Sequence, residues 1–210
     1  MAQKINIADL MVETYSDKKL KALSDMIVDA QDVFGLGSAA ALAAMASASL
    51  GERAVHISGV NDDDMRRAEK DFETLRTYFV HLVDEENKAK KPLEKMLKNP
   101  DTPENELDAG YRTACSVIDE VFYMSIRVVA ETLAPMADKI TADAAPFASA
   151  AVHCAECAMD IVRIQKAFYA SKMPEPVFAR TTLREPEIAI ESNAELFNSL
   201  IKKFEDKIKE

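Results

Sequence analysis

The run Gly35-Leu36-Gly37-Ser38 leads directly into Ala39-Ala40-Ala41-Leu42-Ala43-Ala44-Met45-Ala46, and no other junction limits the possible folds of this chain so strongly. The glycine pair reads as a tight backbone turn, with Ser38 as the cap of an alanine-rich helix. The first amides of a helix have no intrahelical acceptor and lie at the positive end of its dipole. Such a start offers bare donors to an anionic or carbonyl-bearing ligand. The same residues also suit a plainer role, because small side chains let a neighbouring helix approach closely.

The remaining sequence is helical in pattern. Asn6 and Ser16 read as caps, the second followed by Leu20, Leu23, Ile27 and Val28 at helical spacing. The Ser38 helix is expected to stop at Gly59. Asn61-Asp62-Asp63-Asp64 places acidic residues at the next helix start, ahead of a stripe through Phe72, Leu75, Phe79, Leu82 and Val83. Pro92 is expected to break or kink that helix near Lys91. Thr102-Pro103-Glu104 predicts a further start, with burial at Val117, Val121, Met124, Val128 and Leu133 and an end near Pro135. Thr141 or Ala142 opens a second alanine-rich helix that carries Pro146 in its first turn. A linker after Met173-Pro174-Glu175-Pro176 then precedes a last amphipathic helix over Glu187 to Glu210. The expected fold is an all-α bundle of five or six long helices, a single domain over 1–210, and a homodimer.

Five glycines and no tryptophan in 210 residues agree with helix over sheet. The net charge of -10 leaves no sustained basic stripe, so nucleic acid and acidic membranes are not expected partners. No run approaches a membrane span and the start lacks the apolar core of a signal peptide, which predicts a cytoplasmic protein. Cys115, Cys154 and Cys157 are too few for a disulfide framework. Cys154 and Cys157 share a helix face beside His153, but a structural zinc site needs about four ligands, so no metal is expected. His81 stands one turn before Glu85, which reads as an i,i+4 pair.

Three segments together resemble a known family. Gly35-Leu36-Gly37-Ser38-Ala39-Ala40-Ala41-Leu42-Ala43 is similar to the glycine-rich opening of the cyclodeaminase/cyclohydrolase family. That family includes the formiminotransferase-cyclodeaminase C-terminal domain and methenyltetrahydrofolate cyclohydrolases. Leu82-Val83-Asp84-Glu85-Glu86-Asn87-Lys88-Ala89 resembles its acidic helix segment, and Ala142-Asp143-Ala144-Ala145 resembles its later Asp-to-alanine helix. The resemblance covers roughly residues 17 to 170. Phe34 stands where the family has proline, Leu36 interrupts its glycines, Glu86 replaces an Asp, Lys90 an aromatic, and Asp138-Lys139-Ile140 an Asn-rich turn.

The resemblance implies a dimeric multihelical bundle with a folate pocket, and a one-carbon adduct of tetrahydrofolate as substrate with no separate cofactor. In the cyclohydrolase direction, water attacks 5,10-methenyltetrahydrofolate to give 10-formyltetrahydrofolate. This needs a base for the water proton and negative charge near the cationic substrate. In the cyclodeaminase direction, formiminotetrahydrofolate closes a ring and expels ammonia, which needs a proton donor. The cyclohydrolase form is the one expected, on the ground that the chain carries no fused transferase domain. A member that binds folate without turning it over, and a helical dimer with no ligand at all, are the other readings. Asp84, Glu86 and Asp143 are the implied catalytic carboxylates, with proton transfer at Glu86 or Asp143. Gly35, Gly37 and Ser38 are expected to hold the pterin, and Lys88 and Lys90 the acidic tail of folate. Each also has an ordinary role: Glu86 in a solvated charged run, Asp143 as a cap.

Overall fold

The computed structural model describes residues 35–209. The caps at Asn6 and Ser16, the stripe from Leu20 to Val28, and Phe34 lie outside the described residues. Among the described residues five long helices follow one another: α1 (Leu36–Ser58), α2 (Asp63–Lys98), α3 (Glu104–Arg127), α4 (Ala145–Ala170) and α5 (Pro176–Ile208). No strand occurs among the described residues. The all-α bundle expected from the periodicity is the observed fold.

The two alanine-rich helices form its centre. Ala40, Ala41, Ala44, Ala48 and Ala54 of α1 and Ala145, Ala148, Ala151, Ala155 and Ala158 of α4 are fully buried. With only a methyl group between backbones, α1 and α4 pack closely enough for Ser47 Oγ to donate to the carbonyl of Ala151 at 2.6 Å. The Thr141 amide reaches Ser58 Oγ at 3.1 Å. These two contacts make the pair antiparallel, with the start of α4 at the end of α1. The aromatic stripe of α2, including Phe72 and Phe79, is buried and also closes on α1. Phe72 fits against the bare backbone of Gly51, where a Cβ would overlap its ring.

Several boundaries differ from the sequence reading. Gly35, not Ser38, is the N-cap of α1, and its φ of -109° is ordinary extended backbone. The glycine pair therefore makes no left-handed turn; the one positive φ among the described residues is Gly59, which ends α1 as expected. Asp62 caps α2 by accepting from the Met65 amide at 2.9 Å, and Asp63 and Asp64 occupy its first turn. Lys139 reaches both Asp62 and Asp64 at 2.8 Å, tying that start to the turn before α4.

Pro92 does not end α2, which runs on to Lys98. Proline removes one hydrogen bond to the carbonyl four residues back. Pro92 is exposed, so water can satisfy that carbonyl. Around Pro135 the backbone departs from α-helix, first widening into a π-helical turn over Val128–Leu133 and then tightening into a 3-10 turn over Ala134–Met136. The last helix starts eleven residues earlier than expected. Glu175 caps it through the amides of Val177 at 2.9 Å and Phe178 at 2.6 Å, and Pro186 is carried inside it. No described helix is long and apolar enough to cross a membrane.

Candidate active site

Glu86 lies on α2, in the turn that packs against the first turn of α1. It belongs to a charged run, yet its side chain is buried rather than solvated. The reason is the helical period. Glu86 falls on the inward face, three residues after Val83 and seven before Leu93, both buried. Room for it comes from the glycines. A Cβ at Gly37 would sit 2.7 Å from Glu86 Cγ, and one at Gly35 would sit 3.1 Å from Glu86 Oε1. Gly37 and Ser38 are themselves buried, so the glycine motif serves first to admit this glutamate.

Ser38 and Gln165 donate to the carboxyl group, and Asn87 and Tyr169 bond to those two in turn. Ser38 Oγ donates to Glu86 Oε2 at 2.7 Å, and Asn87 Nδ2 reaches Ser38 Oγ at 3.4 Å. From α4, Gln165 Nε2 donates to Glu86 Oε1 at 3.3 Å and to the Tyr169 hydroxyl at 2.9 Å. Tyr111 of α3 stacks obliquely on Tyr169 with ring centroids 5.7 Å apart. Three buried polar atoms of this group have no hydrogen-bond partner: Asn87 Oδ1, Gln165 Oε1 and the Tyr111 hydroxyl. Buried polar atoms are nearly always paired, so their concentration around one carboxyl marks a site kept for a purpose other than stability.

The electrostatics agree. Burial pushes the Glu86 carboxyl above its usual range, and the Ser38 hydrogen bond, the Lys90 charge and the Gln165 amide oppose that rise. Burial likewise raises the Tyr169 and Tyr111 hydroxyls. Glu86 is thus a carboxyl that holds its proton more tightly than a solvated one. That is the property a proton-transfer group needs. An open groove between α4 and α5, lined by Glu156, Met159, Asp160, Ile190, Asn193 and Phe197, offers no comparable convergence on one titratable atom.

The remaining predicted site residues divide. Lys90, one turn beyond Glu86, comes to the site: its Nζ lies 2.7 Å from where a Gly35 Cβ would be. It also pairs with Glu94 at 3.6 Å. Lys88 is exposed on the other face of α2 and pairs with Glu85 at 2.6 Å. Asp84 is half-buried on that same face, where its charge acts on Lys88. Two residues of helix turn either away from Glu86 by roughly 200°. Asp143 is exposed in the turn before α4, beside the end of α1. The length of α1 between Ser38 and Ser58 is about 30 Å at about 1.5 Å per residue. One chain therefore does not bring Asp143 and Glu86 together.

Asn87, Gln165, Tyr169 and Tyr111 were not legible as site residues. Gln165 left one signal: a polar residue at a position where the inward face of α4, through Ala155, Ala158 and Val162, calls for an apolar one. No group of three or more His, Cys, Asp or Glu side chains that could hold a metal ion occurs among the described residues.

Comparison with known proteins follows the same direction. The family model described as formiminotransferase-cyclodeaminase matches residues 19–187. No curated protein matches the chain. Among solved structures, the chain is similar in fold to formiminotetrahydrofolate cyclodeaminase from Thermotoga maritima. The TM-score is 0.73 at 17% identity, covering 90% of this chain and 95% of that one. Since the family match takes in most of the sequence, from before α1 into α5, the chain belongs to the formiminotransferase-cyclodeaminase family.

Proposed function

We propose that this protein acts on a one-carbon adduct of tetrahydrofolate at the Glu86 site, closing the ring of formiminotetrahydrofolate and releasing ammonia. The observation that carries this reading is the buried Glu86 carboxyl, pushed upward by burial and held by Ser38 and Gln165. A carboxyl that burial makes hold its proton more tightly can hand it to the departing nitrogen as the carbon–nitrogen bond breaks. The first turn of α1, at the positive end of its dipole, supplies amides for a carbonyl or anionic edge of the ligand. Lys90 adds a positive charge beside that turn. No cofactor enters this reading. Family membership and the cyclodeaminase named among its structural relatives support the substrate class.

A second reading is hydrolysis of 5,10-methenyltetrahydrofolate. Ser38 and Gln165 both donate to Glu86, a pattern that favours an ionised carboxylate able to take a proton from water.

One chromophore serves for both tests, because the methenyl adduct absorbs and the formimino and formyl adducts do not share its band. Growth of the methenyl band from formiminotetrahydrofolate, with ammonia released in equal amount, supports the first reading. Catalysed loss of the band from added methenyltetrahydrofolate supports the second. Neither rate above the spontaneous one would overturn both and leave a member that binds without turnover. Glu86→Gln is expected to lower kcat by about 100-fold or more. Asp143→Asn is expected to leave it unchanged; a comparable loss there would require Asp143 to arrive from a second copy.

A further inference from the structure

Asn87 and Gln165 are 2% and 3% exposed, yet Asn87 Oδ1 and Gln165 Oε1 have no hydrogen-bond partner. The other end of each amide shows which atom is left over. Asn87 Nδ2 donates to the Val83 carbonyl at 2.9 Å, and a carbonyl only accepts, so Oδ1 is the uncommitted end. Gln165 Nε2 donates to Glu86 Oε1 at 3.3 Å and to the Tyr169 hydroxyl at 2.9 Å, which leaves Oε1. Both amides stand close to the carboxyl. Gln165 bonds to it directly, and Asn87 Nδ2 lies 3.4 Å from the Ser38 Oγ that donates to it. An amide oxygen can only accept, so this pair calls for a group that brings hydrogens. The Tyr111 hydroxyl, the third unpartnered atom, gives or takes equally and selects neither kind.

Resting on the reading of this site as a cyclodeaminase, we propose that Asn87 and Gln165 are specificity-determining residues whose free oxygens receive the two hydrogens of the departing amino group. Ring closure adds the second folate nitrogen to the formimino carbon, and the proton of that nitrogen passes to the formimino nitrogen. The carbon then carries an amino group with two hydrogens and one lone pair. Two acceptors match two hydrogens. With both held, the lone pair is left for the Glu86 carboxyl. As the carbon–nitrogen bond breaks, its electron pair goes to the nitrogen, the Glu86 proton joins it, and ammonia leaves. A ring-nitrogen lone pair fills the carbon to give the methenyl cation, whose charge the ionised Glu86 balances.

The same two oxygens tell the two folate reactions apart. Water attack on the methenyl adduct places one hydroxyl on the carbon, with one hydrogen for two acceptors. One buried oxygen then stays unpaired, which costs free energy that the amino group does not incur. A site built around hydrogens that a competing substrate lacks discriminates against that substrate strongly.

The first test needs no folate. Formamidinium, a small cation bearing two amino groups, is titrated into protein labelled with carbon-13 at the Asn and Gln side-chain carbonyls. Tetramethylammonium, which has no N–H, is the control at equal ionic strength. The Asn87 and Gln165 carbonyl signals are expected to shift to saturation with formamidinium alone. Asn87→Leu keeps the volume and leaves the Glu86 contacts in place, and it is expected to weaken that binding by about 10-fold. No saturating shift in the parent protein would overturn the proposal even were Asn87→Leu unable to fold. So would equal shifts with tetramethylammonium. Saturation by 2-aminopyrimidin-4-one and not by formamidinium would also overturn it, by assigning the oxygens to the amino-pyrimidine edge of a pterin. In turnover, Asn87→Leu is expected to lower kcat/KM for formiminotetrahydrofolate by about 10-fold with the pH midpoint of the rate unmoved. An unchanged rate in the folded variant would overturn the proposal and leave the folate reading standing. Formamidinium binding without turnover of either folate would instead remove the folate reading and keep the pair as acceptors for the amino group of another substrate.

Discussion

A methyl group added at Gly37 would lie 2.7 Å from Glu86 Cγ and 2.7 Å from Ile118 Cγ2. Ile118 is fully buried and cannot step aside, so the glutamate would have to move. Gly37→Ala gains about 1 kcal/mol of helix propensity and loses about 1–3 kcal/mol to overpacking. A net loss of about 1 kcal/mol in urea denaturation, with turnover falling far more than stability, is the expected result. Glu86 itself makes a pH-dependent contribution whose sign follows from its raised pKa. The folded state binds its proton more tightly than the unfolded chain, where the value is near 4.5. The contribution is therefore fully present below that value and is lost as pH rises through the folded-state value. Glu86→Gln should remove this slope, so that the variant gains on the parent protein as pH rises; parallel stability curves would contradict the assignment. The glycines and Ser38 were visible in the sequence as a motif, but not for what they do. Spacing cannot show that a charged side chain 48 residues away fills the gap the glycines leave.

Among the helices, α2 and α5 show how tertiary packing overrides a local breaker. Pro92 falls on an exposed turn of α2, while the next residue, Leu93, is buried. The packing of Leu93 holds the helix through the missing hydrogen bond. Pro92→Ala is expected to raise the melting midpoint, by the equivalent of about 1–2 kcal/mol; a fall would mean the proline shapes the end of α2. The early start of α5 was hidden because a glutamate did the capping and two prolines suggested a linker. The helix is anchored where Lys166, itself buried, reaches Asp119 at 2.5 Å and Glu185 at 3.0 Å. Lys166→Met leaves those two carboxylates facing each other. Since Glu185 is partly exposed, the loss should be about 2 kcal/mol, less than for a fully buried pair. It should largely disappear when Asp119→Leu is added, as denaturation of the single and double variants would show. The aromatic and alanine stripes, by contrast, predicted helix identity and burial well, because period and residue size carry that information directly.

Over the whole molecule, chain order and helix type were readable, and so was the region of the site, but not its membership. Asp143 and Glu86 look equivalent as carboxylates near small residues. Only the antiparallel course of α1 and α4 shows that they stand at opposite ends of the bundle. Gln165 and Tyr169 reach the carboxyl because that same course returns α4 to the start of α1. The alanine seam and the polar cluster lie along one helix, yet their surroundings differ. Ala48 and Ala54 are fully buried among apolar residues, whereas in the cluster that Ser38 joins three buried polar atoms go without partners. Free energy is thus unevenly spread along α1. In native-state hydrogen exchange, the amides of Ala39 to Ala41 should exchange through a local opening well below the global unfolding energy. Those of Ala48 to Val55 should wait for the whole molecule to unfold. Equal protection along the helix would show the cluster to be as tightly closed as the seam. Unequal protection would make the first turn of α1 a door that opens while the rest of the bundle stays shut.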